Sequence, residues 1–264
     1  MSCRRIFLAL CMGLLLVGRP QASSSAQDGG LVIRITQVDN SKFPKVTVYI
    51  SVSGADGEPV RVEADRIQLY EDSVLIRPDK VLGAGETGPL TTLLIMDVSG
   101  SMVNGGKLET AKVAASAYVA KMRPTDQAGL ISYNTQVKNV QEITENQEKL
   151  HEAIGKLQAQ GNTAMYDALL KAVKILEGES GRKAILVLTD GLDNRSIASA
   201  KDVIAAVGPG GLSISTIGLG DPASGKSNDG LDEAGLRSLA EQAGGKYSFA
   251  SDTVSLQAIY ELTG

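Results

Sequence analysis

Leu93-Leu94-Ile95-Met96-Asp97-Val98-Ser99-Gly100-Ser101-Met102 decides how this chain is read. Its first four residues are apolar without alternation, the pattern of a strand buried on both faces of a parallel sheet. The run stops on an acid, and two hydroxyls and a glycine follow. One carboxylate and two neutral hydroxyls on a tight loop suit a hard divalent cation such as magnesium. The plainer alternative is that the serines cap the next helix and Asp97 is a strand-end turn residue.

Two later segments repeat the theme. Gly161-Asn162-Thr163-Ala164-Met165-Tyr166-Asp167 opens a helix with another hydroxyl, and Ala184-Ile185-Leu186-Val187-Leu188-Thr189-Asp190-Gly191 is a second apolar strand ending in an acid. Together the three segments resemble the von Willebrand factor A domain and its metal-ion-dependent adhesion site, over about residues 88 to 263. The resemblance implies a doubly wound α/β fold. By motif position it implies the metal ligands Asp97, Ser99, Ser101, Thr163 and Asp190.

Three of those five ligands are neutral hydroxyls, so the protein would cancel the cation's charge only weakly. A carboxylate from a partner could then complete the coordination shell. Magnesium is the expected ion, with manganese and calcium as alternatives. The expected partner is a protein or matrix component presenting an Asp or Glu, and the domain is read as a binding module, not an enzyme.

Around these segments, apolar strands and helical patterns alternate. Strands are expected near residues 92–97, 128–133, 137–143, 184–189, 212–218 and 247–250, with helices near 108–122, 147–157, 164–176, 198–207, 232–243 and 254–262. That order means a mostly parallel sheet covered on both faces. Leu169, Ala172, Val173 and Leu176 fall at helical spacing and should face it. In an open α/β sheet ligands gather outside the carboxyl ends of the strands, where Asp97 and Asp190 both fall.

Upstream, residues 27–82 read as a small antiparallel β unit. Val46, Val48, Ile50 and Val52 alternate with polar neighbours, Asp56-Gly57 supplies a turn, and Ile67-Gln68-Leu69-Tyr70 forms another strand. So short a unit without disulfides has a marginal core. Residues 83–89, rich in glycine, form the expected linker. The chain stops at Gly264 without a polar tail, which suggests a fragment or a truncated product.

The first 26 residues differ in kind. Arg4 and Arg5 precede an apolar run from Ile6 to Val17, then Gly18-Arg19-Pro20 and small residues as far as Ala26, the layout of a secretory signal peptide too short to span a membrane comfortably. Cleavage after Ala22 or Ala26 would leave a chain with no transmembrane helix, secreted, periplasmic or at the cell surface. Both cysteines, Cys3 and Cys11, lie in the leader, so no disulfide could staple the processed protein. Leu10 is bulky where a lipoprotein signal before Cys11 needs a small residue. Export without cysteines leans towards a bacterial envelope.

The leader also holds three basic residues and no acid, so the overall charge of −4 becomes about −7 after cleavage. With three Phe and no Trp for base stacking, nucleic acid is not an expected partner.

One rival motif competes for function. Gly220-Asp221-Pro222-Ala223-Ser224-Gly225-Lys226-Ser227 matches the phosphate-loop pattern after a strand, so the alternative is a magnesium-dependent nucleotide hydrolase. Such a loop must enter a helix at once, yet Asn228-Asp229-Gly230 follows, and Asp221 and Asp229 would repel phosphates. A structural envelope subunit is the third reading. His151 is the single histidine, which excludes a zinc site and leaves serine catalysis without a base. Asn194-Arg195-Ser196 formally matches a glycosylation acceptor, most simply by chance.

Overall fold

In the computed structural model, the described residues are 6–10, 27–28, 31–54, 60, 62–63, 66–77, 89–190, 193–207, 212–219 and 231–250. The chain divides into two compact units, residues 1–38 with 47–87, and residues 39–46 with 88–264. Several expectations lie outside the described residues: the leader apart from residues 6–10, the Asp56-Gly57 turn, the linker up to Gly88, the Gly220–Ser227 loop and the helix at 254–262.

Among the described residues, six strands occupy the N-terminal part: β1 (Ile6–Leu10), β2 (Gln27–Asp28), β3 (Leu31–Lys42), β4 (Lys45–Ser53), β5 (Ile67–Glu71) and β6 (Val74–Ile76). They make two three-stranded sheets, β1-β5-β6 and β2-β3-β4. In the first, β1 runs parallel to β5 and β6 antiparallel to it. An apolar stretch serves an export leader and a paired strand equally well, so the β1 pairing has no bearing on processing. The β3–β4 hairpin tip, residues 39–46, belongs with the second unit. There Asp39 Oδ2 accepts a hydrogen bond from Gly181 N at 3.0 Å.

The second unit alternates strands and helices: β7 (Leu90–Asp97), α1 (Lys107–Ala120), β8 (Gln127–Tyr133), β9 (Val137–Thr144), α2 (Gln147–Gly155), α3 (Met165–Glu177), β10 (Arg182–Thr189), α4 (Ala200–Val207), β11 (Leu212–Leu219), α5 (Glu233–Gln242) and β12 (Gly244–Ala250). The sheet order is β12-β11-β10-β7-β8-β9. All neighbours are parallel except β8 with β9. This is the doubly wound α/β architecture that strand-helix alternation implies. β7 lies between β10 and β8 with every residue buried, which is why its sequence reads as an apolar run.

Alternate strand residues feed two cores. Leu94, Met96, Leu186 and Leu188 pack with α1 and α2. Leu93, Ile95, Ile131, Ile185 and Val187 pack with α3, α4 and α5, where Leu169, Ala172, Val173 and Leu176 all face inward. Each fully buried aliphatic side chain of this kind contributes about 1.5–3 kcal/mol. A frame with two such layers can hold buried carboxylates at one edge.

Candidate metal centre

Parity places the first site residues. Asp97 continues the face of Leu93 and Ile95, and Thr189 that of Ile185 and Val187, so both arrive side by side where the central strands end. Asp97 is completely buried. Its Oδ1 accepts from Ser99 N at 2.8 Å, an Asx turn that bends the chain as it leaves β7. Its Oδ2 accepts from Thr189 Oγ1 at 2.7 Å.

The hydroxyls then run across the strand ends. Ser99 Oγ lies 3.1 Å from Ser101 Oγ, and Ser101 Oγ donates to Asp190 Oδ1 at 2.9 Å. Ser99 precedes a 3-10 segment at Gly100–Gly106 but makes no side-chain cap bond to it. The capping alternative therefore does not describe the serines: both hydroxyls face the acids.

Thr163 reaches the same edge through its loop. Gln160 N donates to Val98 O at 2.7 Å, and Gly100 N to Gly161 O at 2.9 Å, tying the loop before α3 to the loop after β7. Gly161 has a φ of +82° and a Cβ there would meet Thr135 Oγ1 at 2.7 Å, so only glycine fits this turn. Thr163 is buried, and it is clasped from the other side by Asn194, whose Oδ1 accepts from Thr163 N at 3.0 Å while its own N donates to Thr163 O at 3.1 Å.

Four contributors were not foreseen from sequence. Lys107 Nζ lies 2.8 Å from Asp190 Oδ2, so both oxygens of that acid are engaged. Thr189 anchors Asp97, and strand parity could have found it. Asp193 accepts from Tyr166 N and from Ser196 Oγ. Since Ala164 offers α3 no side-chain cap, this carboxylate from another loop caps the helix and suits its positive end. Tyr133, whose Cα pairs with that of Asp97, buries its hydroxyl at the same strand end, beside Thr189.

Electrostatically the edge is short of positive charge. Burial pushes the Asp97 carboxyl above its ordinary range; hydrogen bonds from Ser99 and Thr189 oppose that rise, and the Asp190 charge adds to it. Burial likewise holds the Tyr133 phenol well above its usual value; the Asp97, Asp190 and Asp193 charges push the same way, and a hydrogen bond with Thr189 opposes them. Among the described residues no three His, Cys, Asp or Glu side chains gather as a metal cluster. The donor set brought together is instead two carboxylates, Asp97 and Asp190, with the hydroxyls of Ser99 and Ser101, while Thr163 is held on the adjoining loop through its backbone. Hard oxygen donors and under-compensated buried acids fit a small divalent cation.

The comparisons agree with the fold. Residues 92–192 match the model of the von Willebrand factor type A domain. Inter-alpha-trypsin inhibitor heavy chain H4 of Bos taurus is 32% identical over 118 residues, which are 40% of this chain and 13% of that protein. The chain thus spans only a small part of the curated relatives it matches. An aerotolerance-related membrane protein from Bacteroides fragilis superposes with a TM-score of 0.56 at 23% identity, covering 66% of this chain and 98% of that one. A von Willebrand factor type A structure from Catenulispora acidiphila gives 0.57 at 17% identity, covering 91% and 51%. The matched segment lies inside the second unit, whose six-stranded, mostly parallel sheet is of the von Willebrand factor type A kind.

Proposed function

We propose that this domain holds a divalent cation, magnesium first, at Asp97, Ser99, Ser101, Thr163 and Asp190, and uses it to bind a protein or matrix ligand through that ligand's Asp or Glu. The observation that carries the reading is the unbroken polar chain from Asp97 through Ser99 and Ser101 to Asp190, with both acids buried. Domains of this type are typically protein-binding modules, which supports recognition over catalysis. Asp97 and Asp190 would carry the ion's charge, the hydroxyls would orient it without neutralising it, and the bound cation would supply an electrophilic position for an incoming carboxylate.

The arginine-led apolar leader supports export, with the work done at the cell envelope or outside the cell. No helix among the described residues is long and apolar enough to cross a membrane. N-terminal sequencing of exported protein should find a start near Ser23 or Gln27; an intact Met1 would defeat this part. For the site, partner capture in magnesium, in chelator and with Asp97→Ala should show binding only in the first case. Capture indifferent to all three conditions would remove the ion from recognition.

A further inference from the structure

Lys107 stands where helix physics disfavours a cation. It is the first residue of α1, at the positive end of the helix dipole, where an acid stabilises and a lysine does not. The backbone before it is equally unusual: Gly105 and Gly106 both take left-handed conformations, with φ of 65° and 70°. Two such residues in succession suit glycine alone. From this turn the Lys107 side chain reaches the carboxyl end of the sheet, where Nζ meets Asp190 Oδ2 at 2.8 Å. The Asp190 side chain is fully buried and that of Lys107 only 19% exposed. This is no screened surface pair of the kind that contributes little.

We infer that Lys107 is a built-in competitor of the divalent ion: its ammonium holds Asp190 in the ion-free domain and must leave that carboxylate for the cation to settle. The second half rests on the metal reading proposed above. Ser101 and Lys107 already use both oxygens of Asp190, one each. A hydroxyl can turn and present its lone pair to a metal, but an ammonium has no lone pair and can only repel it. Removing the lysine charge leaves Asp190 fully available, and leaves the ion-free site with two buried acids and no ion pair among the described residues. Lys107 therefore sets the divalent concentration at which the site fills. The consequence is a site silent where the ion is scarce and open to a partner where it is plentiful.

The test uses the full chain with Lys107→Met, which keeps a long apolar stem, and Lys107→Arg, which keeps the charge. Manganese and magnesium affinities are measured by titration calorimetry, and melting is followed in chelator and in ion. The methionine variant should bind about tenfold or more tightly than wild type, a difference of about 1.4 kcal/mol. In chelator it should melt lower, by about 3 °C or more, and gain more from the ion. The arginine variant should stay near wild type. A third reading needs no variant: reductive methylation of the Lys107 amine in the wild-type chain, followed by mass spectrometry, should speed up when manganese is added.

Wild-type binding with equal or weaker affinity in the methionine variant, or an amine equally protected with and without bound manganese, overturns the inference and leaves the metal reading standing. Absence of binding in both wild type and the methionine variant overturns both, since a site freed of its competitor and still unable to take the ion is not a metal site.

Discussion

Two buried aspartates at opposite ends of the same sheet are served in opposite ways. Asp126, just before β8, is 5% exposed. Its Oδ1 accepts from Leu90 N at 2.9 Å and Arg123 Nη2 at 2.8 Å, and its Oδ2 from Arg123 N at 3.1 Å and Arg123 Nε at 2.9 Å. Burial alone would raise its pKa, but the Arg123 side chain, the Leu90 and Arg123 amides and the Arg123 charge outweigh that and hold it below the ordinary carboxylate range. Asp97 has one amide and the hydroxyls of Ser99 and Thr189 but no guanidinium fork among the described residues, and stays above that range. An acid supplied with its own fork of donors is a fastener between strands. An acid buried without a cation retains the capacity to bind one.

Mutation can break this contrast most sharply at Asp97. Replacing it with Ala should lower magnesium or manganese affinity about 100-fold or more, with the circular dichroism of the sheet unchanged, because neutral hydroxyls cannot replace a charged ligand. Equal binding in calorimetry would show that Asp97 is not a ligand.

At the other edge, Asp126→Asn should leave ion binding alone and cost about 1–2 kcal/mol in denaturant unfolding, since it strips a half-buried arginine pair of its charge. Asp97→Asn in chelator should cost little or even stabilise, because it removes a carboxylate that burial penalises. Similar losses for both variants would erase the distinction between fastener and site.

Acid should report the same asymmetry on a smaller scale. The Asp126 pKa is lowered by folding, so its contribution is complete above the unfolded carboxylate value of about 4 and is lost as the pH falls through the lower folded value. Stability measured from about pH 5 downward should therefore fall less steeply in Asp126→Asn than in wild type. Parallel curves would mean that Arg123 gives Asp126 no net advantage.

Thr163→Ala should have the mildest effect, weakening ion binding about fivefold, as expected for one neutral hydroxyl worth about 1 kcal/mol. No change would place Thr163 outside the coordination shell, leaving it as a residue that packs its loop.

Much of the frame was legible in the sequence because hydrophobic period and sheet layering express the same constraint. Strands β7 to β12 and helices α1 to α5 fall within a few residues of where the apolar pattern set them. Asp97, Ser99, Ser101 and Asp190 could be read together because strand ends announce themselves by a change from apolar to polar. Lys107 could not: what brings it to Asp190 is the backbone sign of Gly105 and Gly106, and a glycine pair in sequence does not state which way it turns. The Asp193 cap of α3 was hidden for a related reason, since helix caps are ordinarily sought just before the helix and this one comes from 27 residues beyond Tyr166. The hairpin tip at Asp39 joins Gly181 across 142 residues, a tertiary choice that no local pattern encodes.

The crossover that sets β10 beside β7 fixes when the site can exist. Ser101 and Asp190 touch across 89 residues of chain, and closing so long a loop has an entropic cost that an ion can repay only after its ligands have met. A cation bound there would not recruit an unfolded chain. It would wait for the finished sheet and then delay its opening. Stopped-flow traces with and without magnesium should share a folding limb and separate on the unfolding limb. In the time domain, the ion would lengthen the life of the native state and leave the speed of reaching it unchanged.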